Sequence, residues 1–183
     1  MSLSDFSLEN KVALITGGSS GLGKMMALAL ARAGAFVWIA SSRDNADDTL
    51  KEIKQKGFNV SFVQTDVASS DALETTVSRI LKQSHRIDIL VNAAGINLRT
   101  SAEELTMGEW KKTIDINLTA PFYLSQLVSK SMKKNNWGRI INIASLQSLR
   151  AFDNSIPYGA SKGGIMQLTR ALAQAYSKDG ILV

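Results

Sequence analysis

The chain has 183 residues, 45% of them hydrophobic, no cysteine, and a formal net charge of +5. That length suits one domain with a sizeable core, so residues 1–183 are expected to fold as a single unit. The composition excludes disulfides and cysteine metal sites, and no apolar run reaches the ~20 residues that a membrane-crossing helix needs.

Lys11-Val12-Ala13-Leu14-Ile15-Thr16 reads as a short buried strand, apolar after its lysine. It runs into Gly17-Gly18-Ser19-Ser20-Gly21-Leu22-Gly23. A helical pattern follows over Gly21–Ala33, with Met26, Leu28, Leu30 and Ala31 as apolar positions. Strand, glycine turn and helix in that order form a dinucleotide-binding unit. Glycines let the backbone approach a pyrophosphate, and a helix N-terminus offers free N–H groups and a positive dipole end. A glycine turn also joins strands to helices where no ligand binds; here the flanking elements supply the context the motif demands.

Further strands are expected at Phe36–Ala40, Val60–Gln64, Ile87–Val91 and Arg139–Ile143. Further helices are expected at Ala46–Lys56, Ser70–Gln83, Thr106–Ser131 with a bend near Pro121, and Tyr158–Lys178. Such alternation argues for an α/β fold, a parallel sheet with helices on both faces. Right-handed crossovers make it doubly wound, a Rossmann fold with its ligand at the carboxyl ends of the strands. The glycine turn, Asp66, Asn92 and Ser145 all follow expected strands, so one edge of the sheet collects them.

Tyr158 and Lys162 lie four residues apart, in Tyr158-Gly159-Ala160-Ser161-Lys162. Residues at that spacing share a helix face. A nearby cation favours the phenolate and brings a tyrosine toward the range where general acid–base chemistry works best. A hydroxyl from Ser145 could hold a carbonyl or alcohol oxygen beside that phenol. Taken alone the pair is common on solvated helix faces. The excess of positive charge is scattered, and its densest group, Lys130, Lys133, Lys134 and Arg139, covers a helix end where cations complement the dipole. That argues for solvated surface and against a nucleic-acid partner. The one histidine, His85, has no partner in a ligand pattern, and no metal site is expected.

The chain resembles the short-chain dehydrogenase/reductases from about Lys11 onward, most closely the gluconate 5-dehydrogenase and 3-oxoacyl reductase-like members. Several separate motifs stand in the family's order: Thr16-Gly17-Gly18-Ser19-Ser20-Gly21-Leu22-Gly23, Asp66-Val67, Asn92-Ala93-Ala94-Gly95, Asn117, Ser145, and Tyr158 with Lys162. The resemblance implies that the glycine turn binds the cofactor pyrophosphate through Gly17, Ser19, Ser20, Gly21, Leu22 and Gly23. It implies that Asp66 and Val67 contact adenine, and that Asn92, Ala93, Ala94 and Gly95 line the cofactor and support the sheet. Asn117, Ser145, Tyr158 and Lys162 match the catalytic tetrad, with Asn117 at the end of a proton relay where Pro121 accompanies a helix distortion. Lys162 would bind the ribose and lower the tyrosine pKa, Ser145 would orient the substrate oxygen, and Tyr158 would transfer the proton. Leu146, Gln147, Arg150 and Phe152 are candidates for the substrate pocket.

Cofactor choice turns on the end of the second strand. The family pattern places Ser42 where NAD enzymes carry an acid for the ribose hydroxyls, and Arg43 follows with a guanidinium for a 2′-phosphate. NADP is the preferred cofactor on this reading and NAD the alternative, since Ser20 is not basic and Asp44 and Asp47 are close. The family would give a homodimer or homotetramer, a small alcohol or ketone substrate, and neither a membrane nor a nucleic-acid partner. Residues Met1 to Asn10 lack the basic and apolar regions of a signal peptide, so a cytoplasmic location is expected. Relative to the family the chain stops within the strand after Gly180, before a substrate lid. The rival reading is therefore a dinucleotide-binding protein without chemistry.

Overall fold

The structure is a computed structural model that describes residues 6–42 and 47–183. Its elements follow one another as β1 (Val12–Thr16), α1 (Gly21–Arg32), β2 (Phe36–Ser41), α2 (Asp47–Gln55), β3 (Val60–Gln64) and α3 (Ser70–Ser84). Then come β4 (Ile89–Asn92), α4 (Met107–Ile114), a π-helical turn (Asp115–Thr119), α5 (Ala120–Lys134), β5 (Gly138–Asn142), a 3₁₀ turn (Leu146–Ser148), α6 (Ile156–Tyr176) and β6 (Ile181–Leu182). Six parallel strands form one sheet in the order β3-β2-β1-β4-β5-β6. The order reverses direction between β1 and β4, which creates the crevice where doubly wound sheets take their ligands.

The central strand explains why the sheet is covered on both faces. All five residues of β1 are buried. Successive side chains of a strand point to opposite faces. Val12 and Leu14 accordingly join one apolar cluster with Leu73, Val77 and Ile80 of α3 and Leu124, Val128 and Met132 of α5. Ala13 and Ile15 join the other, with Ala27 and Ala31 of α1 and Ile53 of α2.

A polar device fixes the sheet at the end away from the crevice. Asp88 is fully buried and accepts a hydrogen bond from the Val12 N–H at 2.9 Å. Its carboxylate also takes the Arg86 guanidinium at 2.6 to 3.0 Å, which holds that guanidinium's pKa above its ordinary value. The Asp88 backbone completes the link, its N–H donating to Val12 O and its carbonyl accepting from Arg139 N–H. One residue, through its carboxylate and its backbone together, thus links the starts of β1, β4 and β5.

Most sequence-derived elements stand within a residue or two of their expected ends, and the differences have local causes. The expected helix over Thr106–Ser131 is three segments. Thr106 caps α4 through a capping box with Glu109, so the helix starts at Met107. Bonds from Thr106 and Thr100 hold the Glu109 carboxylate below its ordinary pKa. The distortion lies just before Pro121, as the π turn, in which the Ala120 N–H donates to Asp115 O, five residues back. Pro121 brings no N–H of its own. Helix α6 begins at Ile156, two residues earlier than expected, because Pro157 suits the first turn of a helix. Ala46, the expected start of α2, lies outside the described residues.

Candidate active site

The turn after β1 is built by steric exclusion. Gly17 has φ +68°, and a Cβ there would lie 2.9 Å from Ala94 Cα. A Cβ on Gly23 would lie 2.2 Å from the Gly17 carbonyl oxygen. Only glycine lets α1 start this close to the turn. The Ser20 side chain makes no cap hydrogen bond, and the first turn of α1 holds no acid. Its N–H groups are left to a ligand, with the positive end of the helix dipole behind them. Ser19 is tied down by a 3.0 Å bond from its hydroxyl to Ser41 and by Thr49 Oγ1 donating to Ser19 O at 2.9 Å.

A cavity of about 380 Å³ opens over this turn. Of the residues assigned to cofactor binding, Gly17, Ser19, Ser20, Leu22, Gly23, Ser42, Asp66, Val67, Ala93, Ala94 and Gly95 line it. Two do not. Gly21 turns the chain into α1 at φ +53°, and Asn92 is buried at the end of β4, where its amide donates to Asn142 Oδ1 at 2.8 Å. Asn142 passes the link on to Thr169 of α6 at 3.0 Å, so the β4 turn is wired to the helix that carries Tyr158. Arg43 and Asp44 lie outside the described residues. Among the described residues that line the cavity, Asp66 is the one carboxylate, and none stands at the end of β2. A crevice with a glycine cradle and a bare helix N-terminus fits a dinucleotide.

Ala40, Ser41, Thr65, Ile96 and Ile116 also line the cavity and were not read from the sequence. The first three sit at or just past strand ends, where the fold class alone nominates them. Ile116 carried no signal; the π turn brings it there.

The four tetrad positions stand on three elements: the π turn, the 3₁₀ turn after β5, and α6. Asn117, 1% exposed, sits in the π turn. Its amide donates to Ile96 O at 2.8 Å and its Oδ1 accepts from the Ile96 N–H at 2.9 Å. The same amide donates to Ser161 Oγ at 3.1 Å, and Ser161 donates to Tyr158 O at 2.7 Å. Asn117 therefore braces the loop after β4 against the Tyr158 helix. Lys162 is 5% exposed, with its ammonium 5.5 Å from the centre of the Tyr158 ring. Its Nζ donates to Ile143 O. Burial pushes the Lys162 pKa below its ordinary value. Ser145 caps the 3₁₀ turn, its Oγ accepting from Gln147 N–H at 3.2 Å.

Beside this centre, Gln147, Arg150 and Phe152 line a second cavity of about 420 Å³ with Ser155 and Gly159, whereas Leu146 is not part of its wall and is 72% exposed. Among the described residues no cluster of His, Cys, Asp or Glu could hold a metal ion, and no helix is long and apolar enough to cross a membrane.

The fold and the glycine turn define a dinucleotide-binding α/β domain. Residues 11–183 match the family model for short chain dehydrogenases. The chain is 36% identical to a 2-dehydro-3-deoxy-D-gluconate 5-dehydrogenase of Formosa agariphila, over 100% of this chain and 70% of that protein. It is 38% identical to a 3-oxoacyl-[acyl-carrier-protein] reductase of Synechocystis, over 96% and 72% of the two chains. A gluconate 5-dehydrogenase from Burkholderia cenocepacia, solved in complex with NADP and tartrate, superposes with a TM-score of 0.91 at 33% identity, covering 98% of this chain and 71% of that one. The chain belongs to the short-chain dehydrogenase/reductase family. It is an oxidoreductase that acts on CH–OH groups, exchanging hydride between a nicotinamide dinucleotide and a secondary alcohol or ketone.

Proposed function

We propose that Tyr158 is the general acid–base of this reaction, Ser145 the residue that orients the substrate oxygen, Lys162 the cation that favours the phenolate, and Asn117 the end of the proton relay. The observation that carries this reading is the buried Lys162, its ammonium 5.5 Å from the centre of the Tyr158 ring. An opposite charge within reach is the general means by which a protein favours an ionised side chain. In the direction of reduction the Tyr158 hydroxyl gives its proton to the forming alkoxide while the Ser145 hydroxyl donates a hydrogen bond to the same oxygen. In oxidation both moves reverse. When bound, the nicotinamide dinucleotide supplies or accepts the hydride. Gly17, Ser19, Ser20, Leu22 and Gly23 would hold its pyrophosphate, Asp66 and Val67 its adenine, and Lys162 its ribose.

The cofactor on this reading is NADP in preference to NAD, supported by the lack of a lining carboxylate at the end of β2 among the described residues and by Arg43, which follows Ser42 in the sequence. The substrate is a small sugar acid, 3-oxoacyl compound or similar carbonyl, the activities named for its relatives. A cytoplasmic homodimer or homotetramer, assembled through α5 and α6, completes the reading. The decisive experiment replaces Tyr158 with Phe and follows nicotinamide absorbance with a panel of ketones. Turnover should fall by at least about three orders of magnitude, within the range that general acid–base catalysis supplies, while dinucleotide affinity stays within twofold. Near-normal turnover in Tyr158→Phe would overturn the assignment.

A further inference from the structure

We propose that Ser148 is a positioning residue for the Ser145–Tyr158–Lys162 centre, a hydroxyl strut that holds the turn after β5 against helix α6. This rests on the reading of the site given above and adds a residue to it.

The Ser148 hydroxyl lies between two backbone groups of the centre. It accepts from the Ser145 N–H at 3.4 Å and donates to the Lys162 carbonyl at 2.7 Å. A serine hydroxyl has one proton and two lone pairs, so one oxygen can serve both bonds. The Ser148 N–H also donates to Ser145 O at 3.0 Å, closing the 3₁₀ turn. Ser145 Oγ meanwhile accepts from Gln147 N–H. That bond occupies one lone pair and leaves the Ser145 proton and its second lone pair for a substrate oxygen. Ser145 is thus held at its amide and at its side chain by its own turn, and Ser148 ties that turn to α6.

Lys162 is joined to the same segment a second time, through Nζ and Ile143 O. The two links differ in kind. The ammonium rides on a flexible four-carbon stem and can change partners. The Ser148 bond grips the Lys162 backbone and does not depend on where the ammonium points. The spacing between Ser145 and Tyr158 is therefore kept when the Lys162 head moves. Ser148 is not among the residues that line the dinucleotide cavity, and it grips the Lys162 backbone and not the ammonium that would reach the ribose, so its loss should leave cofactor binding nearly unchanged.

The test uses Ser148→Ala, Ser148→Thr, Ser145→Ala and the Ser145→Ala/Ser148→Ala double variant. Ser148→Ala should lower kcat by about 10-fold, less than the ~100-fold that an ångström of misplacement can produce. Dinucleotide Kd should stay within about twofold, and Ser148→Thr, which keeps the hydroxyl, should recover most of the rate. In the Ser145→Ala background the second substitution should change nothing further, because the group it positions is gone; coupled residues give such non-additive pairs. A kcat for Ser148→Ala within twofold of the parent, or full multiplication of the two losses in the double variant, would refute the strut. Hydrogen exchange at the Ser145 amide needs no turnover. It should accelerate in Ser148→Ala and slow again in Ser148→Thr, and unchanged exchange would refute the strut equally. If Tyr158→Phe and Ser145→Ala both leave turnover intact, the reading of the site fails, and amide exchange still decides the strut.

Discussion

A methyl group on Gly23 tests the cofactor turn directly. The Cβ of Gly23→Ala would lie 2.2 Å from the Gly17 oxygen and 2.8 Å from the Gly17 carbonyl carbon. Ordinary contact begins at 3.4 Å, so the start of α1 must retreat by about 1.2 Å. No side chain can swing aside, because the obstacle is backbone. Overpacking of this kind costs about 1–3 kcal/mol. In a chain of this size that lowers Tm by roughly 2–12 °C. Binding should suffer more. The first-turn N–H groups of α1 would be displaced from the pyrophosphate by about an ångström, and a shift of that size commonly removes one to two orders of magnitude. Two substitutions serve as controls. A Cβ on Gly163, inside α6, meets nothing within 4 Å, so Gly163→Ala should raise stability by about 0.5–1 kcal/mol on helix propensity alone. A Cβ on Gly21 also meets nothing, but φ +53° strains it, at about 1–2 kcal/mol. Differential scanning calorimetry and nicotinamide fluorescence titration read both quantities. A Gly23→Ala protein with parental Tm and parental Kd would show that α1 does not start against the Gly17 carbonyl, and the reasoning would fall.

Titration of NADPH and NADH should show tighter binding of the phosphorylated form, with Arg43→Ala removing most of the gap; tighter NADH binding with a silent Arg43→Ala would sink the assignment. Burial lowers the Lys162 pKa from its ordinary 10.5, so between the folded-state value and 10.5 the unfolded chain binds the extra proton and stability rises with pH. Below both values the burial penalty is complete, and Lys162→Met should abolish the rise when urea midpoints are compared across the alkaline range up to 10.5. Arg86→Ala would leave the buried Asp88 carboxylate without its cation, a loss of about 1–3 kcal/mol as for other buried groups that lose a partner; a urea midpoint close to that of the parent would contradict the anchoring role. Light scattering should report a dimer or larger assembly, and a monomer at working concentration would count against association through α5 and α6.

Much of this protein follows from spacing along the chain. The alternation of apolar strands with helical patterns determined the parallel α/β sheet, because burying both faces of a strand requires helices on each side. The glycine turn was legible because only glycine tolerates its close contacts, and that demand is written residue by residue. Tyr158 and Lys162 could be paired because four residues make about one helical turn. Other features needed the assembled structure. Asn117 reaches Ile96 across 21 residues and Ser161 across 44, and no periodicity encodes such distances. The π turn that carries it arises as α4 runs on toward Pro121, and that turn brings Ile116 into the cavity. Asp88 and Ser148 looked like ordinary polar residues in the chain. One became the buried anchor of three strands and the other a link between Ser145 and Lys162, because packing brought backbone groups from distant segments within reach of a single polar residue.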